Sequence, residues 1–268
     1  IYCSRNMKKL YRIWSALIRI NFSNFVMYRG NFWSTAAVSI SWGIFSVVSM
    51  LLLTSGVSSI FGWSQVELLI LAGVYSVVVG VFHIFFAANF WHMPRIIHLG
   101  QLDGILLKPI DSQFLLSVRY INFPIFPRVI VGFLFIMYLI SSNNIEVSLS
   151  QWIYFNILSL FGLLILYSVW YIFMTILLWQ SHLTNLNDLL SHIMDTAKYP
   201  TDMYENLGLF ISIFLIPFVL AVTLPAKILF GRASFVDITI LMITSICLFS
   251  FSRFFWRFAL RSYTSASS

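Results

Sequence analysis

Charge is what this sequence has least of. Only 9% of its 268 residues are Asp, Glu, Lys or Arg, against roughly a quarter in a soluble domain, which excludes an ordinary water-soluble fold. Cysteine is nearly absent: Cys3 and Cys247 are too few and too far apart for a disulfide framework or a thiolate metal site. No G-x-x-x-x-G-K-[S/T] loop occurs. Gly104-Ile-Leu-Leu-Lys108-Pro109 gathers a glycine and a lysine but ends in proline, so it lacks the consecutive N–H donors of a phosphate cradle. No polar stretch is long enough for a soluble catalytic domain.

What is present is apolar and aromatic. Hydrophobic residues make up 60% of the chain, with 27 Phe, 12 Tyr and 9 Trp. At about 20 residues per helical span, roughly five to seven spans fit this length. The expected fold is all-α: a polytopic membrane protein forming a single transmembrane domain over residues 1–268. Six spans are expected, at 32–56, 65–90, 121–141, 152–178, 207–230 and 235–258. The first run has no small-residue cleavage site and reads as a span rather than a signal peptide.

Residues 6–28 precede it. Leu10, Ile13, Trp14, Leu17, Ile18, Phe22 and Phe25 recur at helical spacing, while Lys8, Lys9, Arg12 and Arg19 lie mostly elsewhere on the helix. A basic amphipathic helix of this kind lies in the membrane interface, with Arg29 at its end; the alternative is a first helix packed on other protein.

The basic residues also set orientation. With the N-terminus placed in the cytoplasm, Arg5, Lys8, Lys9, Arg12, Arg19 and Arg29 fall inside, as do Arg95, Lys108, Arg119 and Arg128 around the second loop and Arg253, Arg257 and Arg261 at the other end. Lys227 and Arg232 fall outside. The excess of Lys and Arg therefore reports the positive-inside rule, with both termini cytoplasmic, rather than a nucleic-acid partner.

Between 178 and 207 the chain turns polar. Leu183, Leu186, Leu189, Leu190, Ile193, Met194 and Ala197 form an apolar stripe, so an amphipathic helix is expected to end before Tyr199-Pro200. Two topologies stay open. Either 207–230 crosses and 180–205 is cytoplasmic, or 180–198 crosses and 207–230 dips in and returns. His182, Asn185, Asn187, Asp188, His192 and Asp195 are expensive in lipid and favour the first. Pro217 and Pro225 free backbone groups and favour the second.

The second loop, residues 93–117, is the most informative segment. Gly100 and Pro109 bracket two helical turns, Gln101, Leu102, Asp103, Gly104, Ile105, Leu106, Leu107 and Lys108, with Leu102, Ile105, Leu106 and Leu107 as the apolar members. Pro109 turns Lys108 away from helical geometry, and Asp103 has the sign that a helix start favours. A short rigid helix at a membrane face suits a protruding contact; lying flat on headgroups is the alternative.

Intramembrane polar residues are functional suspects by default. Glu67 and Asp237 sit near the outer starts of spans two and six and read as interfacial. His83 is deeper. With Phe82 and Phe86 it is either a packing residue or part of an aromatic route for apolar or cationic substrates. His92 and His98 have no carboxylate or Cys at ligand spacing, so no metal site is expected. Asp188 and His192 are spaced as a solvated helix face.

The segment Ile97–Phe114, I-H-L-G-Q-L-D-G-I-L-L-K-P-I-D-S-Q-F, resembles the loop motif of ABC-2-type transporter membrane subunits, in the branch that accompanies separate ATP-binding subunits in bacterial efflux operons. Tyr28-Arg29, Gly62-Trp63, Tyr199-Pro200, Pro217, Pro225-Ala226, Gly231 and Arg261-Ser262-Tyr263 extend the similarity over most of the chain. The resemblance implies a permease that exports a hydrophobic or amphiphilic compound across a bacterial cytoplasmic membrane. It implies that Gly100–Pro109 is a coupling helix seated in an ATPase subunit, and that Pro200, Pro217 and Pro225 belong to outer re-entrant elements. It further implies two ATP-binding cassette subunits, a second membrane subunit that is identical or related, and lipid as neighbours. No catalytic residue or cofactor is expected in this chain, with ATP and Mg on the partner. An ion-gradient transporter would call for buried charges and inverted repeats. A membrane-embedded transferase would have only Asp188, His192 and Asp195 to work with.

Overall fold

A computed structural model of the chain describes residues 2–27, 29–56, 59–180, 183, 185–204 and 209–263. Among them the elements run α1 (Tyr2–Met27), α2 (Arg29–Thr54), a two-stranded hairpin of β1 (Ser59–Ile60) and β2 (Trp63–Ser64), α3 (Gln65–Phe82), α4 (Ala88–His98), α5 (Leu102–Leu106), α6 (Ser112–Val118), α7 (Phe126–Ser142), α8 (Leu149–Ile176), α9 (Leu186–Asp195), α10 (Leu209–Leu229) and α11 (Phe235–Arg261). The chain is an all-α polytopic membrane protein. Gly30–Thr54, Gln65–His98, Phe123–Ser142, Leu149–Ile176 and Phe235–Arg261 are long and apolar enough to span a bilayer. The fifth expected span, 207–230, coincides with α10, whose apolar part with described side chains is Phe214–Leu229.

Three helices start at one end of the bundle with the same device. Ser64 with Glu67, Ser148 with Gln151 and Ser234 with Asp237 form capping boxes on α3, α8 and α11. In each, the serine hydroxyl accepts the N–H three residues on and the side chain there accepts the serine's own N–H, so two donors that a helix start leaves orphaned are satisfied. This capped end also holds Arg232, whose guanidinium lies 2.9 Å from Glu67 and donates to the Gly62 carbonyl.

α3 and α4 form one rod broken only by a π-helical turn, His83–Ala87. Small residues let α7 close on it: a side chain at Gly73 or Gly80 would meet Ile136 and Val129 at 2.7 and 2.6 Å. α8 is the central helix, packed along its length by α10 and α11. The Phe173–Phe214 ring contact, the Gly162–Ala221 approach and the hydrogen bond from Gln151 to the Ile228 carbonyl show α10 running antiparallel to α8 over most of its length.

Pro217 and Pro225, which the resemblance assigns to outer re-entrant elements, both lie inside one helix, α10. Pro225 has no N–H, so the Ala221 carbonyl four residues earlier loses its helical donor. That carbonyl points straight at Gly162, so close that any Cβ there would collide with it. A neighbouring helix thus receives the freed group, which is how prolines are tolerated in apolar surroundings.

The polar stretch forms α9 and a 3-10 turn, Thr196–Lys198, before Tyr199-Pro200, as its stripe implies. Leu190, Met194 and Ala197 are buried, while Leu189 faces out. Asn187 is not exposed polar surface: its amide accepts from the Trp170 indole N–H at 2.9 Å and donates to the Phe90 carbonyl. Tyr75 donates to Asp195 at 2.7 Å and Trp63 to Asp202 at 2.9 Å. Residues 187–202 therefore climb alongside α4 and α3 toward the capped end.

α1 docks at the start of α7. Asn21 donates to the Arg119 carbonyl, and Phe22 and Phe25 meet Phe123. Trp14, Arg12 and Arg19 are exposed, whereas the side chains of Lys8, Lys9 and Arg29, assigned to the interfacial helix, lie outside the described residues.

Replacing Gly162 by Val is expected to lower the thermal unfolding temperature of the purified protein, because overpacking costs about 1–3 kcal/mol. Gly104→Ala, with open space around its Cβ, should leave it unchanged. Equal melting of the two variants would refute the close approach.

Candidate functional site

The end opposite the caps carries the loop singled out by sequence. Gly100, at φ 66°, closes α4, with Leu99 and Gly100 donating to the Arg95 and Ile97 carbonyls at 3.0 and 3.1 Å. α5 then runs over five residues, and the Lys108 N–H still reaches the Ile105 carbonyl before Pro109 ends the turn. Its apolar members divide. Leu102 and Ile105 are buried in the core, whereas Leu106 is half-exposed and Leu107 is 86% exposed. Gln101, Gly104, Lys108 and Pro109 are exposed with them, and Asp103 is half-buried. The helix is therefore anchored by one side and presents an apolar tip on the other.

What anchors the loop was not legible in the motif. Asp111 caps α6 by accepting the Phe114 N–H at 2.9 Å, and both its oxygens accept from Arg253 of α11 at 2.7 Å. Arg253 also donates to Gln113, whose amide nitrogen donates to the Tyr167 hydroxyl of α8. Ser117 joins the same hydroxyl at 2.8 Å, and Trp256 donates to Ser112 at 3.0 Å. One guanidinium in a forked pair thus fastens α6 to α11. The Arg253 guanidinium holds the Asp111 carboxyl below the usual carboxylate range, against partial burial and with help from the Phe114 N–H.

A cavity of about 600 Å³ opens beside this junction, lined by Phe86, Gln113, Leu163, Tyr167, Phe249 and Arg253. Of the expected substrate-route residues, Phe86 faces it. His83 faces a second cavity across the rod, and Phe82 faces neither, fully buried against Phe90 and Trp170. The π turn explains the split, since it shifts the helical phase between the two faces. Pro200, buried, precedes the 3-10 turn Thr201–Tyr204 at the capped end. There burial pushes the Asp202 carboxyl up, but the Trp63 N–H and Lys227 together hold it below its ordinary range. Arg128, grouped by sequence with the loop charges, is buried inside α7.

In a double-mutant cycle, Asp111→Asn and Arg253→Gln should show a coupling of about 1 kcal/mol in thermal unfolding, the range of a partly exposed pair. A depressed folded-state pKa means that the pair's contribution is complete above the unfolded value and is lost only as pH falls through the lower folded one. The Asp111→Asn difference should therefore be flat from about pH 8 to about pH 5; a decline within that window would contradict the pairing.

Comparison with family models matches residues 40–267 to the ABC-2 family transporter proteins. No curated protein and no solved structure gives a match. The family's members are membrane transport components that generally lack an ATPase site and serve systems with an associated ATP-binding subunit. With its bundle of apolar spans and a match over most of its length, the chain belongs to the ABC-2 transporter family as a multi-pass permease subunit.

Proposed function

We propose that the chain is the permease of an ATP-driven exporter in a bacterial cytoplasmic membrane. It moves a hydrophobic or amphiphilic compound by alternating between inward- and outward-facing arrangements. α5 is its coupling helix, and ATP and Mg bind a separate subunit present in two copies. A second membrane subunit, identical or related, completes the pathway.

The observation that carries this reading is the divided α5: Leu102 and Ile105 in the core, Leu106 and Leu107 outside it. Exposed leucines on a rigid turn fit a groove in a partner, and a small apolar anchor accounts for much of the affinity of such a contact. Push on this turn reaches α11 through Asp111 and Arg253. Orientation follows from charge. Arg95, Lys108, Arg119, Arg253, Arg257 and Arg261 lie toward the α5 end, which is read as cytoplasmic. At the other end Lys227 and Arg232 are matched by Asp202 and Glu67. In this reading the stretch through α9 ascends to the capped end, α10 returns to that same end beside Asp202, and both termini are cytoplasmic.

Gentle detergent extraction from native membranes, followed by mass spectrometry, should recover a stoichiometric ATP-binding cassette protein. Leu107→Arg and Leu106→Arg should each cut that recovery and the transport it supports at least tenfold while insertion stays normal; Asp103→Arg should do likewise. Normal ATPase recovery and transport in all three variants would overturn the coupling role of α5.

A further inference from the structure

Across the α3–α4 rod from the loop junction lies a cavity of about 390 Å³ with a different character. It is walled by α2, α3, α7, α9 and the turn after α9, and carries Arg128, Lys198, Tyr75, Asp195, Ser191 and Trp42. Tyr75 sits about 15 Å along α3 from its capped start, half of a bilayer's apolar thickness of about 30 Å. The cavity therefore lies along the apolar length of α3 rather than at its capped end.

Arg128 is the anomaly. Its residue is only 8% exposed, and its Nε has no hydrogen-bond partner. None of the ion pairs among the described residues includes it. Its stem rests on Gly43 and its guanidinium lies 5.9 Å from the Tyr75 ring centroid. A buried cation without a carboxylate is costly unless something else compensates it, and buried unsatisfied groups are rare enough to require a reason. The carboxylate in the cavity compensates it only indirectly, through the Tyr75 hydroxyl, which interacts with the guanidinium and itself donates to Asp195. Lys198 adds a second cation. Two positive groups against one carboxylate leave the polar wall net positive, while Trp42 and Phe45 of α2 supply an apolar wall.

We infer that this cavity binds an anion-headed amphiphile, its carboxylate or phosphate between Arg128 and Lys198 and its chain against α2. Arg128 supplies a planar fork suited to either head. This site gives a substrate or resident-lipid class to the permease reading and rests on that reading only for the word substrate.

The test uses the full chain in nanodiscs of zwitterionic phosphatidylcholine, with 11-bromoundecanoate as a quencher of tryptophan fluorescence. Saturable quenching is expected, reduced by Trp42→Phe. Arg128→Gln should weaken half-saturation at least tenfold, Arg128→Lys less, and Lys198→Gln about threefold. 11-Bromoundecanol and a bromoundecyl trimethylammonium salt should quench without saturation. Competition by phosphatidylglycerol in the disc would identify a lipid as the occupant, and its absence a free amphiphile; both outcomes support the site. Quenching that is non-saturable, or indifferent to Lys198→Gln and Arg128→Lys in folded protein, would overturn it. Recovery of the ATPase subunit by this same protein is scored separately, so a failed site and a failed permease reading give different results.

Discussion

The forked contact between Asp111 and Arg253 decides how the rest of the molecule can act as a machine. Both oxygens of one carboxylate meet both ends of one guanidinium at 2.7 Å. As a partly exposed pair it adds little to stability. Its weight is geometric, because a bidentate fork fixes orientation as well as distance. The same carboxylate caps α6, and the same guanidinium reaches through Gln113 to Tyr167. The loop carrying α5 is therefore held to two long helices, not merely resting on them. α8 in turn packs along α10. A displacement at Leu107 has a contiguous covalent and hydrogen-bonded route into α11 and α8.

The spans, the amphipathic first helix, the bounds of α5 and the end of α9 were legible because each has a local cause. Apolar run length, Gly100 at a helix stop and the restriction that Pro109 places on Lys108 all act within a few residues. The capping boxes were equally local, since Ser64 with Glu67 and Ser234 with Asp237 stand three apart at the head of apolar runs. Glu67 and Asp237 drew attention only as charges near a membrane face. Their role in closing helix starts is the fuller account.

Long-range pairings left no such trace. Asp111 and Arg253 are separated by 142 positions, and nothing in either neighbourhood marks the partner. Asn187 and Asp195 read as costly polar residues on a helix face, which they are in lipid. The fold removes the cost by presenting them to Trp170, Phe90 and Tyr75. A period of 3.6 residues cannot distinguish a face turned to water from one turned to a polar cavity. Pro217 and Pro225 show a related limit. Proline reports that a carbonyl loses its donor, not that the helix ends, and whether it ends depends on what lies opposite. Here Gly162 lies opposite Ala221 and takes the approach no larger residue would allow.

The two cavities share the α3–α4 rod but not its face, and that separation has a mechanical consequence. The larger one is walled by Asp111, Gln113 and Arg253, the groups that fasten the loop. The polar one is walled by α2, α7 and α9, none of which touches that fork. Any shift of α5 relative to α11 must change the first cavity directly, since its wall is the joint itself. It reaches the second less directly, through the rod or through the short connection from α6 to Ile125 and to Arg128 at the start of α7. The π turn at His83–Ala87 lies between the two, with His83 toward one cavity and Phe86 toward the other. A π turn carries a wider, less regular hydrogen-bond ladder than the α-helix on either side. It is thus the place where the two faces of the rod leave α-helical phase, which is why two side chains three residues apart line different cavities.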